Sequence, residues 1–120
     1  MDDPDKPLPR LAIVGPCSSG KSLLARELMS QGYIVRQPAQ EHSIAPDMWR
    51  RLSHPDILIY LDVDYANARQ RRPHHDGGVQ RLAEQHKRLS HARQYCHFYL
   101  DTSGYSPGEV CTTVVSFLQS

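Results

Sequence analysis

Apolar residues in this chain form short continuous runs, and each run is followed by apolar residues spaced at three and four. The strand-like runs lie at 11–14, 33–36, 57–61 and 98–100. The run at 11–14 is apolar without alternation, which is typical of a parallel strand covered on both faces. Gly32, Pro38 and Pro73 mark stops between the elements. Strands that alternate with helices predict an α/β fold with a parallel sheet and right-handed crossovers.

Two predicted helices have clear starting signals. Asp64 can cap a helix that runs to Pro73, and Ser106 can cap the last helix, with Glu109 completing a capping box. A shorter helical turn is expected to begin at Pro46. The spacing predicts that the helices bury Leu23, Leu24 and Leu28; Trp49 and Leu52; Val79, Leu82, His86 and Leu89; and Val110, Val114, Phe117 and Leu118.

Length and composition indicate one small domain. We predict a flexible segment over residues 1–10, which is acidic and rich in proline, and a single domain over 11–120. The net charge of +1 gives no general attraction to nucleic acid or to membranes, and no apolar run is long enough to span a bilayer. Three cysteines without metal-ligand spacing, and no secretory leader, favour a cytoplasmic protein.

Residues 15–22 read G-x-x-x-x-G-K-S, directly between the first strand-like run and the first helical one. In this pattern Gly15 and Gly20 let backbone N–H groups turn inward around phosphate oxygens. Lys21 places a positive charge near the β- and γ-phosphates, and the Ser22 hydroxyl can ligate Mg²⁺. A chance match in a chain of this composition has a frequency of roughly one in a thousand. A simple Gly-Ser turn is therefore the weaker interpretation, and we expect a nucleoside triphosphate site.

Together with this motif, two further stretches resemble the P-loop kinases that act on nucleotides, nucleosides and other small molecules. The stretch PDILIYLDVD (residues 55–64) resembles the strand that follows the substrate region in that family, and YLDTSGYSPGEV (residues 99–110) resembles its closing strand, base-edge loop and last helix. The resemblance implies a three-layer αβα P-loop NTPase fold, ATP and Mg²⁺ as cofactors, and a lid at about residues 69–94. The cofactor-binding residues that it implies are Gly15, Ser18, Ser19, Gly20, Lys21, Ser22, Leu23 and Thr102.

The chain also departs from that family. Such kinases usually have five strands and a sizeable acceptor-binding insertion, whereas only residues 37–55 occupy that interval here, without a convincing strand. We therefore predict a reduced sheet of four strands in the order 2-1-3-4. We also predict that the chain has no complete acceptor pocket of its own, and the position of the usual Walker B acid is in doubt.

Several residues outside the motif have a functional and an ordinary interpretation. Asp62 is a candidate metal ligand beside Ser22, or it hydrogen-bonds the loop backbone. Glu41 is a candidate catalytic residue that would orient or deprotonate the acceptor, or it is an exposed turn residue. The resemblance makes Arg71 and Arg72, with Arg69 nearby, candidates for neutralising charge on the transferred group, although a solvated helix face is the alternative.

Other features of the sequence favour ordinary roles. Trp49 is interpreted as a packing residue, Cys17 as a small residue in a variable motif position, and the seven histidines as unrelated to zinc. The basic tract around His74 and His75 lacks interleaved aromatic residues, which disfavours nucleic acid. The sequence thus predicts an ATP-dependent phosphotransferase with an unidentified small-molecule or protein acceptor, and it leaves a homodimer open. The rivals are a nucleotide-binding module or slow ATPase that acts through partners, and a GTPase, which the absence of an N-K-x-D motif disfavours.

Overall fold

A computed structural model describes residues 8–75 and 77–120, except for the side chain of residue 75. Residues 1–7, which belong to the predicted flexible segment, and Asp76, which belongs to the predicted lid, lie outside the described residues. Strands and helices alternate along the described part of the chain. The strands are β1 (Arg10–Val14), β2 (Ile34–Arg36), β3 (Ile57–Asp62) and β4 (Phe98–Asp101). The helices are α1 (Lys21–Ser30), α2 (Met48–Ser53), α3 (Tyr65–Arg71), α4 (Gly78–Arg88), α5 (Ser90–Tyr95) and α6 (Pro107–Gln119), with 3₁₀ turns at Gln40–His42 and Pro73–His75.

The four strands form one parallel sheet in the order β2-β1-β3-β4, which confirms the predicted α/β class and strand order. In the register, Val14 of β1 lies beside Tyr60 of β3, and Asp62 lies beside Asp101 of β4. The carboxyl ends of β1, β3 and β4 therefore meet at one edge of the sheet, where α/β proteins commonly bind ligands.

Alternate residues of the central strands serve two hydrophobic cores, one on each face of the sheet. One core joins Ile13 and Leu61 to α1 and α6. The other joins Val14 and Tyr60 to α2, through Trp49, and to α5. Helices thus cover both faces of the sheet, as the continuous apolar strands predicted. Trp49 is buried in the second core, which confirms its interpretation as a packing residue.

The interval between β2 and β3 contains no strand. It holds only the 3₁₀ turn Gln40–His42 and the short helix α2, and β2 pairs directly with β1. The Gln40 side chain is fully buried, accepts from the backbone N–H of Trp49 and donates to the carbonyls of Ala45 and Arg88. These bonds fix the 3₁₀ turn against α2 and α4.

The predicted capping signals are confirmed. The carboxylate of Asp64 accepts from the N–H of Asn67 at 2.8 Å, and this contact holds the pKa of Asp64 below its usual value. Ser106 and Glu109 form the predicted capping box of α6, and their hydrogen bonds likewise lower the pKa of the Glu109 carboxyl. No helix among the residues that the structure describes is both long and apolar enough to cross a membrane.

Three residues predicted to face the core are exposed instead. Leu23, Leu52 and Val79 keep more than half of their surface accessible. In α1 the buried residues are Leu24, Ala25 and Leu28, and in α4 the buried residue is Gln85. The predicted helix through Val79 and Leu89 corresponds to α4, which ends at Arg88, and a further helix that was not predicted, α5, begins at Ser90.

Candidate functional site

A tight backbone turn connects β1 to α1 at the sheet edge described above; we call residues 15–22 the glycine loop. A Cβ atom on Gly15 would lie 2.0 Å from the carbonyl oxygen of Leu61, so only glycine lets the loop pass this close to β3. Gly20 lies immediately before α1 with a φ of 99°, a conformation that glycine adopts at little cost. The loop therefore needs glycine at both positions that the sequence motif specifies.

The ammonium group of Lys21 folds back over the glycine loop and forms an ion pair with Glu41. It also donates to the carbonyl oxygens of Gly15 and Pro16. An ammonium group has three N–H donors, so these acceptors satisfy all of them. The Lys21 side chain is 15% exposed and that of Glu41 only 4%. The sequence analysis assigned Lys21 to the nucleotide and Glu41 to the acceptor, and in the structure the two side chains are in direct contact.

The middle of the glycine loop is held by α4. The Gln85 side chain accepts from the N–H of Cys17 at 2.9 Å and donates to the Cys17 sulfur at 3.3 Å. On the other side, Nε2 of His42 lies 3.7 Å from that sulfur. Sequence reasoning missed Gln85, although it lies at helical spacing between Leu82 and Leu89 and is therefore a polar residue on an apolar helix face.

Arg71 connects the glycine loop to the segment that follows β4. Its guanidinium donates to the carbonyl of Ser18 at 2.8 Å and to both oxygen atoms of Thr102, at 3.0 Å for the hydroxyl and 2.5 Å for the carbonyl. The buried Thr102 hydroxyl also lies 2.9 Å from the carbonyl of Ser19. Arg71 and Arg72, both candidate catalytic residues, are both exposed, and the hydrogen bonds of Arg71 give it a positioning role in this structure.

The two predicted metal ligands have different surroundings. Ser22 is exposed, and its hydroxyl donates to Oε1 of Gln37 at 3.2 Å. The carboxylate of Asp62 contacts Nε2 of His86 and accepts from the hydroxyl of Tyr99, each at 2.7 Å. No hydrogen bond joins Asp62 to Ser22 within residues 8–75 and 77–120. The same residues contain no cluster of three or more His, Cys, Asp or Glu side chains suited to a metal ion.

Tyr99 stays protonated as a donor to Asp62. Its partial burial, followed by the hydrogen bond to Asp62, raises the pKa of the phenol to about 12. Burial and the nearby Asp62 also raise the pKa of the neighbouring Tyr60. The carboxylate of Asp62 therefore contacts side chains of both β4 and α4, so it has an evident structural role at this edge.

The glycine loop opens onto a cleft of about 440 Å³, which we call the loop cleft. One wall consists of residues 17–24 of the glycine loop and α1, and a second wall consists of Thr102, Tyr105, Pro107 and Val110. Arg71 and Arg72 lie along it as well. Every predicted cofactor-binding residue except Gly15 lines this cleft, but Glu41, His42 and Trp49 do not.

A scan against protein-family models and a search of curated proteins both find no match to this chain. The geometry of the glycine loop and the loop cleft is therefore what bears on function.

Proposed function

We propose that this chain is an ATP-binding P-loop protein of kinase-like type that transfers a phosphoryl group, with Mg²⁺, from ATP to an acceptor. The observation that carries the proposal is the position of the glycine loop: it follows a central strand, precedes a ten-residue helix and opens onto a cleft of about 440 Å³. Backbone N–H groups at a helix N-terminus favour bound phosphate. The sheet order 2-1-3-4, with helices on both faces, supports a reduced P-loop NTPase fold.

In this proposal the phosphates lie in the glycine loop and the base lies in the apolar part of the loop cleft. Leu23, Tyr105, Pro107 and Val110 supply apolar surface beyond the phosphate end. Such surface suits a purine ring, and adenine is our choice because of the resemblance to small-molecule kinases. Thr102, held by Arg71, lines the cleft together with this apolar surface.

Lys21 must exchange partners when a triphosphate binds. Its ammonium would leave the Glu41 carboxylate and contact phosphate oxygens instead. Glu41 would then be released beside the terminal phosphate. Its place at the loop supports the predicted role as a residue that orients the acceptor hydroxyl.

The exposed Ser22 hydroxyl at the start of α1 suits a Mg²⁺ ligand, because its bond to Gln37 is easily exchanged. Asp62 suits direct ligation less well, since His86 and Tyr99 already occupy its carboxylate. Bound Mg²⁺ would neutralise phosphate charge. We also propose a cytoplasmic protein, which the three free cysteines support.

Calorimetric titration with a non-hydrolysable ATP analogue and Mg²⁺ tests this proposal. We expect binding to the parent protein and a loss of at least about tenfold in affinity for Lys21→Met, which keeps the length of the side chain but removes its charge. Lys87→Met, at an exposed lysine of α4, is the control. Equal affinity of the Lys21→Met and parent proteins would overturn the assignment of the glycine loop.

A nucleotide-binding module or slow ATPase is the second candidate function. It is favoured by the interval between β2 and β3, where Trp49 is buried and the Glu41 side chain is only 4% exposed, so neither offers surface to a metabolite. Measuring ATP consumption with candidate acceptors separates the two functions. An acceptor that speeds ATP consumption and gains phosphate supports the kinase, whereas slow hydrolysis that no acceptor changes supports the module.

A further inference from the structure

A second, smaller cleft adjoins the loop cleft on the side of α3 and α4; we call it the arginine cleft. Its volume is about 40 Å³. Because a single water needs roughly 10–15 Å³ by the same measure, the cleft has room for one small group and not for a whole metabolite. Cys17, Ser18 and Arg72 line both clefts, so the middle of the glycine loop and Arg72 lie between the two.

Positive charge dominates the arginine cleft. Arg69, Arg72 and Arg81 line it, and among its described lining residues none is acidic. Ser18, Tyr65 and Gln85 add polar groups to the wall, and Gly77 and Gly78 place the N-terminal end of α4 there. Arg69 and Arg81 also have contacts within the protein, and both line the arginine cleft. Guanidinium groups are well suited to carboxylate and phosphate, and a helix N-terminus favours the same charge.

We propose that the arginine cleft binds an anionic group, a phosphate or a carboxylate, of the molecule that accepts the phosphoryl group. This inference rests on the proposed function, and it names the chemical class of the acceptor. Two features separate the acceptor from the nucleotide. Leu23, Tyr105 and Val110 line only the loop cleft, whereas Arg69 and Arg81 line only the arginine cleft. An anion held by Arg69 and Arg81 would therefore lie across residues 17–18 from the nucleotide, with Arg72 between the two.

The small volume of the arginine cleft fits the same proposal. It encloses one charged group and leaves the rest of the acceptor outside. Electrostatic recognition would then provide the specificity that the short interval between β2 and β3 cannot provide through an enclosed pocket.

Inorganic phosphate titrated into ADP-saturated protein is the direct probe. We expect one phosphate to bind beside ADP, and we expect Arg69→Gln/Arg81→Gln to lower its affinity at least about tenfold while ADP affinity changes less than about twofold. Arg26→Gln/Arg51→Gln, at exposed arginines of α1 and α2, is the charge-matched control and should bind phosphate like the parent protein. Unchanged phosphate affinity of the Arg69/Arg81 variant, or no phosphate binding to the ADP-saturated parent, would overturn the proposal.

A parallel titration with the ATP analogue distinguishes the acceptor from the transferred group. If the Arg69/Arg81 variant loses as much affinity for the analogue as for phosphate, these arginines serve the γ-phosphate, and the acceptor assignment is wrong. Amide NMR shifts in the parent protein need no variant: phosphate added to the ADP complex should shift Gly77 and Gly78 and leave Leu23 and Tyr105 in place. Shifts confined to the loop cleft would contradict the proposal.

The test also works if the glycine loop proves not to bind nucleotide. Phosphate is then titrated into nucleotide-free Lys21→Met/Glu41→Gln protein, which lacks the positive charge at the glycine loop and leaves no buried carboxylate unpaired. Phosphate-induced shifts at Gly77 and Gly78 in that protein would support the anion site although the proposed nucleotide function had failed. Their absence would overturn the anion site independently.

Discussion

Lys21 and Glu41 form an ion pair over the glycine loop that is nearly closed to solvent. The Glu41 backbone is held in place, because the side chain of the neighbouring Gln40 is fully buried and forms hydrogen bonds with α2 and α4. A triphosphate must therefore compete with a fixed carboxylate for the Lys21 ammonium. This competition couples nucleotide binding to Glu41, the residue proposed to orient the acceptor.

Lys21→Ala should weaken triphosphate binding and also destabilise the fold. The sequence alone predicted an intact fold, since a motif lysine is expected to be a surface charge. In the structure the substitution leaves Glu41 buried without its partner, and breaking such a pair costs about 3–5 kcal/mol. Urea unfolding should show a loss of this order for Lys21→Ala and almost none for Lys21→Ala/Glu41→Gln. Equal stability of Lys21→Ala and the parent protein would show that the pair is not important in solution.

Glu41→Gln should tighten triphosphate binding. The neutral amide competes less for the Lys21 ammonium and does not repel phosphate, so we expect a gain of about tenfold, or about 1.4 kcal/mol, in calorimetry with the ATP analogue. If Glu41 also acts on the acceptor, turnover should fall while nucleotide affinity rises, because the two effects concern different steps. Weaker nucleotide binding by Glu41→Gln would indicate that the carboxylate helps to hold the nucleotide.

Arg71 and Arg72 should respond differently to alanine substitution. Arg71→Ala removes the bonds to Ser18 and Thr102 that join the two walls of the loop cleft, so it should lower both thermal stability and nucleotide affinity. Arg72 is exposed and lines both clefts, so Arg72→Ala should lower turnover with little change in melting temperature. An unchanged rate for Arg72→Ala would indicate that Arg72 belongs to a solvated helix face and has no role in turnover.

The sequence predicted the strands and the capped helices because these depend on local patterns, whereas the strand order was expected from the resemblance to P-loop kinases. Four short strand-like runs mark the strands, of which β1 and β3 are buried, and Asp64 and Ser106 are local starting signals. The contacts of the candidate site were not predictable in the same way. Glu41 reaches Lys21 across twenty residues, and Gln85 reaches Cys17 across sixty-eight. Such partners follow from how α4 and the 3₁₀ turn pack on the sheet, and no spacing along the chain encodes that packing.

Cys17 should report on occupancy of the glycine loop. Its side chain lines both clefts, and it is partly accessible. Bound ATP analogue should therefore slow alkylation of Cys17 by a small maleimide at least about fivefold, because a ligand in the loop cleft blocks access to the sulfur. Cys96 and Cys111 lie outside both clefts and serve as internal controls in the same mass spectra. Equal protection of all three cysteines would indicate general stabilisation instead of a ligand at the loop.

Gly15→Ala should be far more damaging than alanine at another glycine of the chain. The added Cβ would lie 2.0 Å from the Leu61 carbonyl of a central strand, and the φ of 155° already disfavours an L side chain. The Leu61 carbonyl belongs to the backbone and cannot rotate away as a side chain can. We therefore expect the free energy of unfolding to fall by more than about 3 kcal/mol and nucleotide binding to be lost.

Gly108→Ala is the matched control, because nothing lies within 4 Å of its added Cβ and alanine favours helix in the first turn of α6. It should leave stability unchanged or raise it by about 0.5 kcal/mol. If urea unfolding gave Gly15→Ala and Gly108→Ala the same stability, the glycine loop could not pass as close to β3 as described, and the site built on that approach would have to be abandoned.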